Sequence, residues 1–188
     1  MAPTAAFDAR DRKILTMFSA DPGVSQDAVA REIGLSQPSV AARVRKLRDS
    51  GALSVSAGMD PFKLGLSVAK VDVTATNPAK VMDFFAGCPY FMNGYIVSGK
   101  SNLTLFLVAA RISTLESIVD GHLRRMPEVT DVDFNIIISP AKPVIISVDL
   151  ESGGKRCDHG TPCSKCESRK TGRCSGCPAH AGDSDWFF

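Results

Sequence analysis

Five of the chain's six cysteines and two of its three histidines crowd into twenty-four residues: Cys157, His159, Cys163, Cys166, Cys174, Cys177 and His180. The spacing is that of two Cys-x-x-Cys pairs, Cys163/Cys166 and Cys174/Cys177, separated by seven residues. Each pair can place two thiolates on one ion while the backbone turns in a tight knuckle. Soft sulfur donors at that spacing suit zinc or an iron–sulfur cluster. Four thiolates complete a closed tetrahedral zinc site, with Gly172 suited to a turn in the polar stretch between the knuckles. Cys157, His159 and His180 are then left over for a second zinc, or the histidines are merely exposed. In the other arrangement Cys157 replaces one of the four in a [4Fe–4S] cluster, for which the Cys177-Pro178 dipeptide is a weak sign. Zinc is the first expectation and the cluster the second.

Disulfides are the competing use of crowded cysteines, and they belong to oxidising compartments. Here Met1-Ala2-Pro3-Thr4 leads into Asp8, Arg10, Asp11 and Arg12 before any apolar run, so no signal peptide is expected. The most apolar stretch, residues 103–110, is far shorter than the roughly 20 residues of a membrane span. The expectation is a cytoplasmic protein with no membrane partner, in which paired cysteines hold metal. Cys88, between Phe85, Gly87 and Pro89, is expected instead to be a small buried hydrophobe.

A second constellation lies in residues 37–50, where Arg43, Arg45, Lys46 and Arg48 face the single acid Asp49. The whole chain is 44% hydrophobic and 22% charged with a net charge of only +2, so no general basic field marks a nucleic-acid partner. Residues 54–148 balance eight bases with eight acids, and the local cation excess therefore points at one helix. Val40, Val44 and Leu47 form the buried stripe of that helix. Gln37, Ser39, Ala42, Arg43 and Lys46 are left free to meet base edges, since arginine can donate bidentately to guanine and glutamine to adenine. Arg45 and Arg48 are expected to meet phosphate.

The elements that must position these residues can be read from periodicity. Ile14, Leu15 and Phe18 mark a first helix that ends before Asp21-Pro22-Gly23. Val29, Ala30 and Ile33 mark a second helix capped by Ser25 and closed by Gly34. Ser36 opens the third, with Pro38 in its first turn. Two short helices joined at Ile33-Gly34-Leu35-Ser36, the second basic on its open face, describe a helix-turn-helix. A three-helix protein-interaction module would share that core pattern.

From residue 54 the period changes to two, with Val71 and Val73 in one strand and Val132, Phe134 and Ile136 in another. Between them lie a helix around Pro78–Ala86, a strand pair at residues 90–98 and 103–110, and a helix from Ser113 to Arg125. The order β-α-β-β-α-β is a ferredoxin-like split βαβ unit. A further strand is expected at residues 144–148. The expected fold class is thus α+β. Its parts are a winged helix-turn-helix at 1–53, a connecting strand or linker at 54–66, a ferredoxin-like domain at 67–150 and a metal-stabilised tail at 151–188.

The stretch from Asp8-Ala9-Arg10-Asp11-Arg12-Lys13 to Ile14-Leu15 resembles the opening of Lrp/AsnC (leucine-responsive, feast/famine) regulators. So do Val29-Ala30-Arg31-Glu32-Ile33-Gly34-Leu35-Ser36, Val40-Ala41-Ala42-Arg43-Val44-Arg45-Lys46-Leu47 and Ser50-Gly51-Ala52-Leu53. The resemblance covers about residues 7–148. It implies a transcriptional regulator that binds double-stranded DNA as a homodimer, often assembled into tetramers or octamers. It also implies an effector loop after the second strand of the sensing domain, here Gly99, Lys100, Ser101 and Asn102. The glycine is present, but Asn102 stands where an acid is usual, so a small-molecule effector and its amino-acid character do not carry over. Either an effector binds there or Gly99 only makes the hairpin turn.

Most members of the family end near the last sensing-domain strand, so the resemblance says nothing about the tail. Two other readings remain beside a regulator with a structural or sensory metal module. One is an enzyme, since siroheme decarboxylases resemble this architecture, although no acid/base constellation stands out. The other is an interaction adaptor that uses the metal knuckle for a partner protein.

Overall fold

The computed structural model of the chain describes residues 7–147 and 165–174. It divides into two compact units, one running to Ala57 and the other beginning at Gly58.

The first unit is three helices: α1 (Ala9–Ala20), α2 (Gln26–Ile33) and α3 (Gln37–Asp49). Its local punctuation explains its boundaries. Asp8 opens α1 with a capping box, accepting from the Asp11 amide at 2.7 Å while the Asp11 carboxylate reaches back to the Asp8 amide. Ser25 caps α2 by accepting from the Ala28 amide at 3.2 Å. Gly34 ends α2 in the left-handed conformation, φ 64°, which a side chain rarely adopts. Ile14, Phe18, Val29, Ala30, Val40, Val44, Leu47 and Leu53 are buried together, the stripe that helical periodicity requires. An ion pair from Lys13 to Glu32 (2.9 Å) links α1 to α2 on the surface. Among the described residues 7–57 no strand is present, so the expected wing is not formed there as a hairpin.

The second unit is a four-stranded antiparallel sheet in the order β2-β3-β1-β4, built from β1 (Ser67–Ala75), β2 (Phe91–Ile96), β3 (Leu103–Ala109) and β4 (Val129–Ile136). The helices α4 (Pro78–Ala86) and α5 (Ile112–Gly121) connect them, so the order is βαββαβ. Alternation sends Ala69, Val71 and Val73 of β1, with Leu103, Leu105 and Leu107 of β3, into one core shared with Val81, Phe85, Leu115, Val119 and Leu123. Cys88 is buried in that core, as its apolar neighbours in sequence imply. Gly94 of β2 lies under α4: an added Cβ would stand 2.6 Å from the Met82 sulfur. Among the described residues no helix is long and apolar enough to cross a membrane.

Three expectations are corrected. The helix foreseen over Ser113–Arg125 stops at Gly121, and a short 3-10 turn (Leu123–Arg125) follows. Gly121 is a weak helix former, and the break lets Leu123 turn fully into the core. Of the connecting strand or linker foreseen at 54–66 and the strand foreseen at 144–148, the described residues show a single bridge, Met59 with Ile146, made by two hydrogen bonds of 2.9 Å. Pro140 and Pro143 lack the amides that a longer ladder would need. In the tail, Glu167–Lys170 forms one helical turn, α6. Residues 148–164 and 175–188, including the rest of the foreseen tail, lie outside the described residues.

Gly58 sits so close to this bridge that a Cβ there would stand 2.3 Å from the Ile146 carbonyl oxygen. Gly58→Ala is therefore expected to break the Met59–Ile146 bridge and destabilise the unit by about 1–3 kcal/mol. A denaturant midpoint unchanged by the substitution would contradict this packing.

Candidate nucleic-acid interface

Of the seven residues singled out for DNA, six are exposed and one is not free. Gln37, Ser39, Ala42, Arg45, Lys46 and Arg48 are exposed on α3. Side chains three and four apart share a helix face, so Ser39, Ala42, Arg45 and Lys46 fall on the side away from Val40, Val44 and Leu47. Among the described residues Arg45, Lys46 and Arg48 have no ion-pair partner. The first turn is held by short contacts: the Ser39 hydroxyl meets that of Ser36 at 2.8 Å, and Gln37 donates to the Gln26 side chain at 3.5 Å.

Arg43 differs. Its Nη1 donates to the Asp11 carboxylate at 2.6 Å and to the Asp8 carboxylate at 2.7 Å. Those two acids are the capping box of α1, so one guanidinium ties the N-terminus of α1 to the middle of α3. Asp11 and then Asp8 raise the pKa of Arg43. In turn, the Asp11 amide and the Arg43 guanidinium hold the Asp8 carboxyl below its usual range. Arg43 is thus paired within the unit through Nη1, a role that the expectation of a base-edge contact did not include. The pairing of this capping box with a side chain 35 residues away has no signal in the sequence.

The loop after β2 has a similar surprise. Gly99 adopts φ 129°, which fits the turn expected of it. The Asn102 side chain binds the backbone of Ala75 twice: its Oδ1 accepts from the Ala75 amide at 2.9 Å and its Nδ2 donates to the Ala75 carbonyl at 2.7 Å. It does so where the pairing of β1 with β4 shifts register between Thr74 and Ala75. A carboxylate could accept the first bond but not donate the second, which gives an amide a physical reason to stand at this position. The Thr74 hydroxyl donates to the Lys100 carbonyl at 3.1 Å and closes the loop further. Lys100 is exposed and Ser101 half-buried.

Of the foreseen metal ligands only Cys166 and Cys174 are among the described residues, both partly buried. Cys157, His159, Cys163, Cys177 and His180 lie outside them. The Lys170 amide donates to the Cys166 carbonyl at 3.1 Å, and the Cys174 amide donates to the Ser168 carbonyl at 3.0 Å. Gly172, at φ 70°, makes the turn between. The chain from Cys166 to Cys174 therefore folds back on itself. Among the described residues no three His, Cys, Asp or Glu side chains are grouped to hold a metal ion.

Two substitutions test this geometry. Asn102→Asp should destabilise the second unit by about 1–3 kcal/mol, because it sets an acceptor against the Ala75 carbonyl; equal stability would remove Asn102 from that role. Asp8, with a folded pKa below its unfolded one, contributes stability that is present above the usual carboxylate range and lost as pH falls through the folded value. Asp8→Asn should therefore flatten the acid limb of the first unit's stability curve, read by circular dichroism between neutral and acid pH. Arg43→Ala should do the same and also lower the thermal midpoint at neutral pH.

Residues 7–53 match the family model described as winged helix-turn-helix DNA-binding. The HTH-type transcriptional regulator LrpA of Pyrococcus horikoshii is 26% identical over 72% of this chain and 99% of its own length. The leucine-responsive regulatory protein of Rhizobium meliloti is 26% identical over 76% of this chain and 96% of its own. In fold the chain is similar to E. coli AsnC, with a TM-score of 0.64 at 16% identity over 76% of this chain and 99% of that one. The matches thus span nearly the whole of these proteins and leave about a quarter of this chain without a counterpart. The helix-turn-helix of residues 7–53 and the βαββαβ unit that follows it together make the chain similar, over about three quarters of its length, to transcriptional regulators of the Lrp/AsnC type.

Proposed function

We propose that this chain is a transcriptional regulator of the Lrp/AsnC type that reads double-stranded DNA with the exposed side of α3, as a cytoplasmic homodimer or larger even-numbered assembly, and carries a metal-holding module in its tail. One observation carries the DNA reading: on α3, Arg43 is consumed by Asp8 and Asp11 while Arg45, Lys46 and Arg48 stay exposed and unpaired among the described residues. In this reading Arg45 and Lys46, beside Ser39 and Ala42, approach the major-groove base edges, and Gln37 enters first because it lies at the helix N-terminus. Arg48, near the far end, meets phosphate. Arg43 sets the angle at which α3 is presented and touches no base.

An even-numbered assembly is supported by apolar side chains that stay exposed among the described residues. Tyr95 and Ile96 of β2 are more than half exposed (52% and 58%), and Ile138 is 88% exposed. For the loop Gly99–Asn102 the structural role is favoured, because the Asn102 amide already spends both of its functions on Ala75. Any effector that binds there would meet Lys100 as the free charge, which suits an anionic group better than an ammonium. In the tail, Cys163, Cys166, Cys174 and Cys177 are the proposed ligands of one zinc ion, with a [4Fe–4S] cluster as the competing occupant. The folded-back turn between Cys166 and Cys174 supports a knuckle of that kind. Residues 151–188 have few large aliphatic side chains, so metal would have to supply the free energy that orders them.

Gel-shift titrations against operator-sized DNA at several salt concentrations test the first part. Arg45→Ala and Lys46→Ala should each cost about 1–3 kcal/mol and relax base preference. Arg48→Ala should weaken all sequences alike and lower the salt slope by about one. Arg43→Ala should lower stability and weaken binding to all sequences alike without relaxing base preference. Wild-type binding by both Arg45→Ala and Lys46→Ala would overturn the assignment of α3.

Metal analysis and a visible spectrum on anaerobically purified full-length protein test the tail. Colourless protein with stoichiometric zinc supports the structural site, and a coloured protein that bleaches in air makes it an iron–sulfur sensor. Substituting Cys163, Cys166, Cys174 and Cys177 with serine should abolish the metal, while Cys88→Ser should not. Full metal retention after all four substitutions would end this reading.

A further inference from the structure

We infer that the outer edge of α5 with β4 is the docking site for the chain's own Cys-flanked segment 165–174, anchored by Arg173. Glu116, Val119 and Asp120 of α5, Arg124 of the 3-10 turn, Phe134 of β4 and Arg173 of the tail line one cleft of about 220 Å³. Arg173 is thereby brought beside residues far from it in sequence.

The charges on the two sides are opposite. Segment 165–174 carries Lys165, Arg169, Lys170 and Arg173 against the single acid Glu167. Helix α5 carries Glu116 and Asp120 and no base. Asp120 is shared with Arg124 at 3.2 Å. Among the described residues, Glu116 and Arg173 are then the cleft's two opposite charges without an ion-pair partner. Val119 and Phe134 offer an apolar floor along which an arginine stem can lie while its guanidinium stays wet.

The segment also needs a surface. Its helix, α6, has four residues, while isolated helices shorter than about 12 residues are marginal in water. Its contacts within itself include backbone turns, the Thr171 hydroxyl donating to the Glu167 carbonyl at 2.9 Å, and the ion pair of Lys170 with Glu167 at 3.8 Å. A partner face of opposite charge holds such a turn in place, and salt should loosen it because the groups are exposed. The inference extends the tail reading above by giving the cysteine-bearing segment a seat on the sheet unit. Whatever state the tail takes, α5 is the element that would feel it.

Full-length Arg173→Lys protein keeps the charge and supplies an amine for zero-length carbodiimide coupling to a carboxylate. An equal mixture of isotopically heavy and light chains is coupled at low salt and mapped by peptide mass spectrometry. The expected product is an amide between residue 173 and Glu116 or Asp120, within chains of one isotope, with its yield reduced at high salt. It should be lost in Glu116→Gln/Asp120→Asn protein, whose circular dichroism should match wild type. No link to α5, or links mainly between heavy and light chains, would overturn the intrachain seat. Metal content measured on the same samples reports separately on the tail reading: a link without metal defeats that reading alone, and metal without a link defeats only the docking.

Discussion

Strand β1 is hydrogen-bonded along both edges, to β3 and to β4, and the second unit depends on its register. Ala69, Val71 and Val73 reach the helix-covered core, while Lys70, Asp72 and Thr74 take the other face. A slip of one residue would drive Lys70 and Asp72 into that core, which no helix packing could offset. On the face they do occupy, Lys70 pairs with Asp72, and Asp72 also accepts from the Thr104 hydroxyl at 2.7 Å. The same strand sets the loop geometry beyond it. Its last residue, Ala75, leaves the β4 ladder at a register shift, and Asn102 supplies the backbone-like donor and acceptor that meet it there.

In the helix-turn-helix unit the comparable constraint is the Arg43 fork on Asp8 and Asp11. A single cation is withdrawn from the exposed face of α3, and in exchange two helices far apart in sequence are tied together. The withdrawal matters for recognition. Cations held by carboxylates neutralise no phosphate, whereas Arg45, Lys46 and Arg48 can each displace counterions from DNA. The division of labour along one short helix is therefore electrostatic. The cation flanking the buried stripe holds the architecture, and the others remain for a ligand.

The tail poses a different physical problem, because burial cannot order a segment so poor in large apolar side chains. The proposed reading offers two sources of order, a metal held by thiolates and the acidic edge of α5 facing a basic segment. On that reading they act at different points, the first between cysteines and the second between Arg173 and the sheet unit. Both could operate together, with the metal shaping the knuckle and the charge contact seating it.

Much of the fold was legible because its causes are local. Helix stripes such as Ile14–Phe18 and Val40–Val44–Leu47, the cap at Ser25, the glycine stop at Gly34 and the alternation around Val71 and Val132 each declare themselves within a few residues. So did the burial of Cys88 among apolar neighbours. Residues whose local period is ambiguous misled: after Pro143 the described residues 144–147 hold one bridge instead of a strand, and the α5 helix broke at Gly121 so that Leu123 could turn inward. The site was legible only as a set of residue types. That α3 presents a basic side belonged to the sequence itself, as did the two Cys-x-x-Cys spacings and the glycine of the loop. Which cation is spent on structure, why Asn102 must be an amide and where Arg173 comes to rest were decided by the tertiary structure alone. Those outcomes depend on contacts between residues tens of positions apart, and such distances are set by the packed core and by no period in the chain.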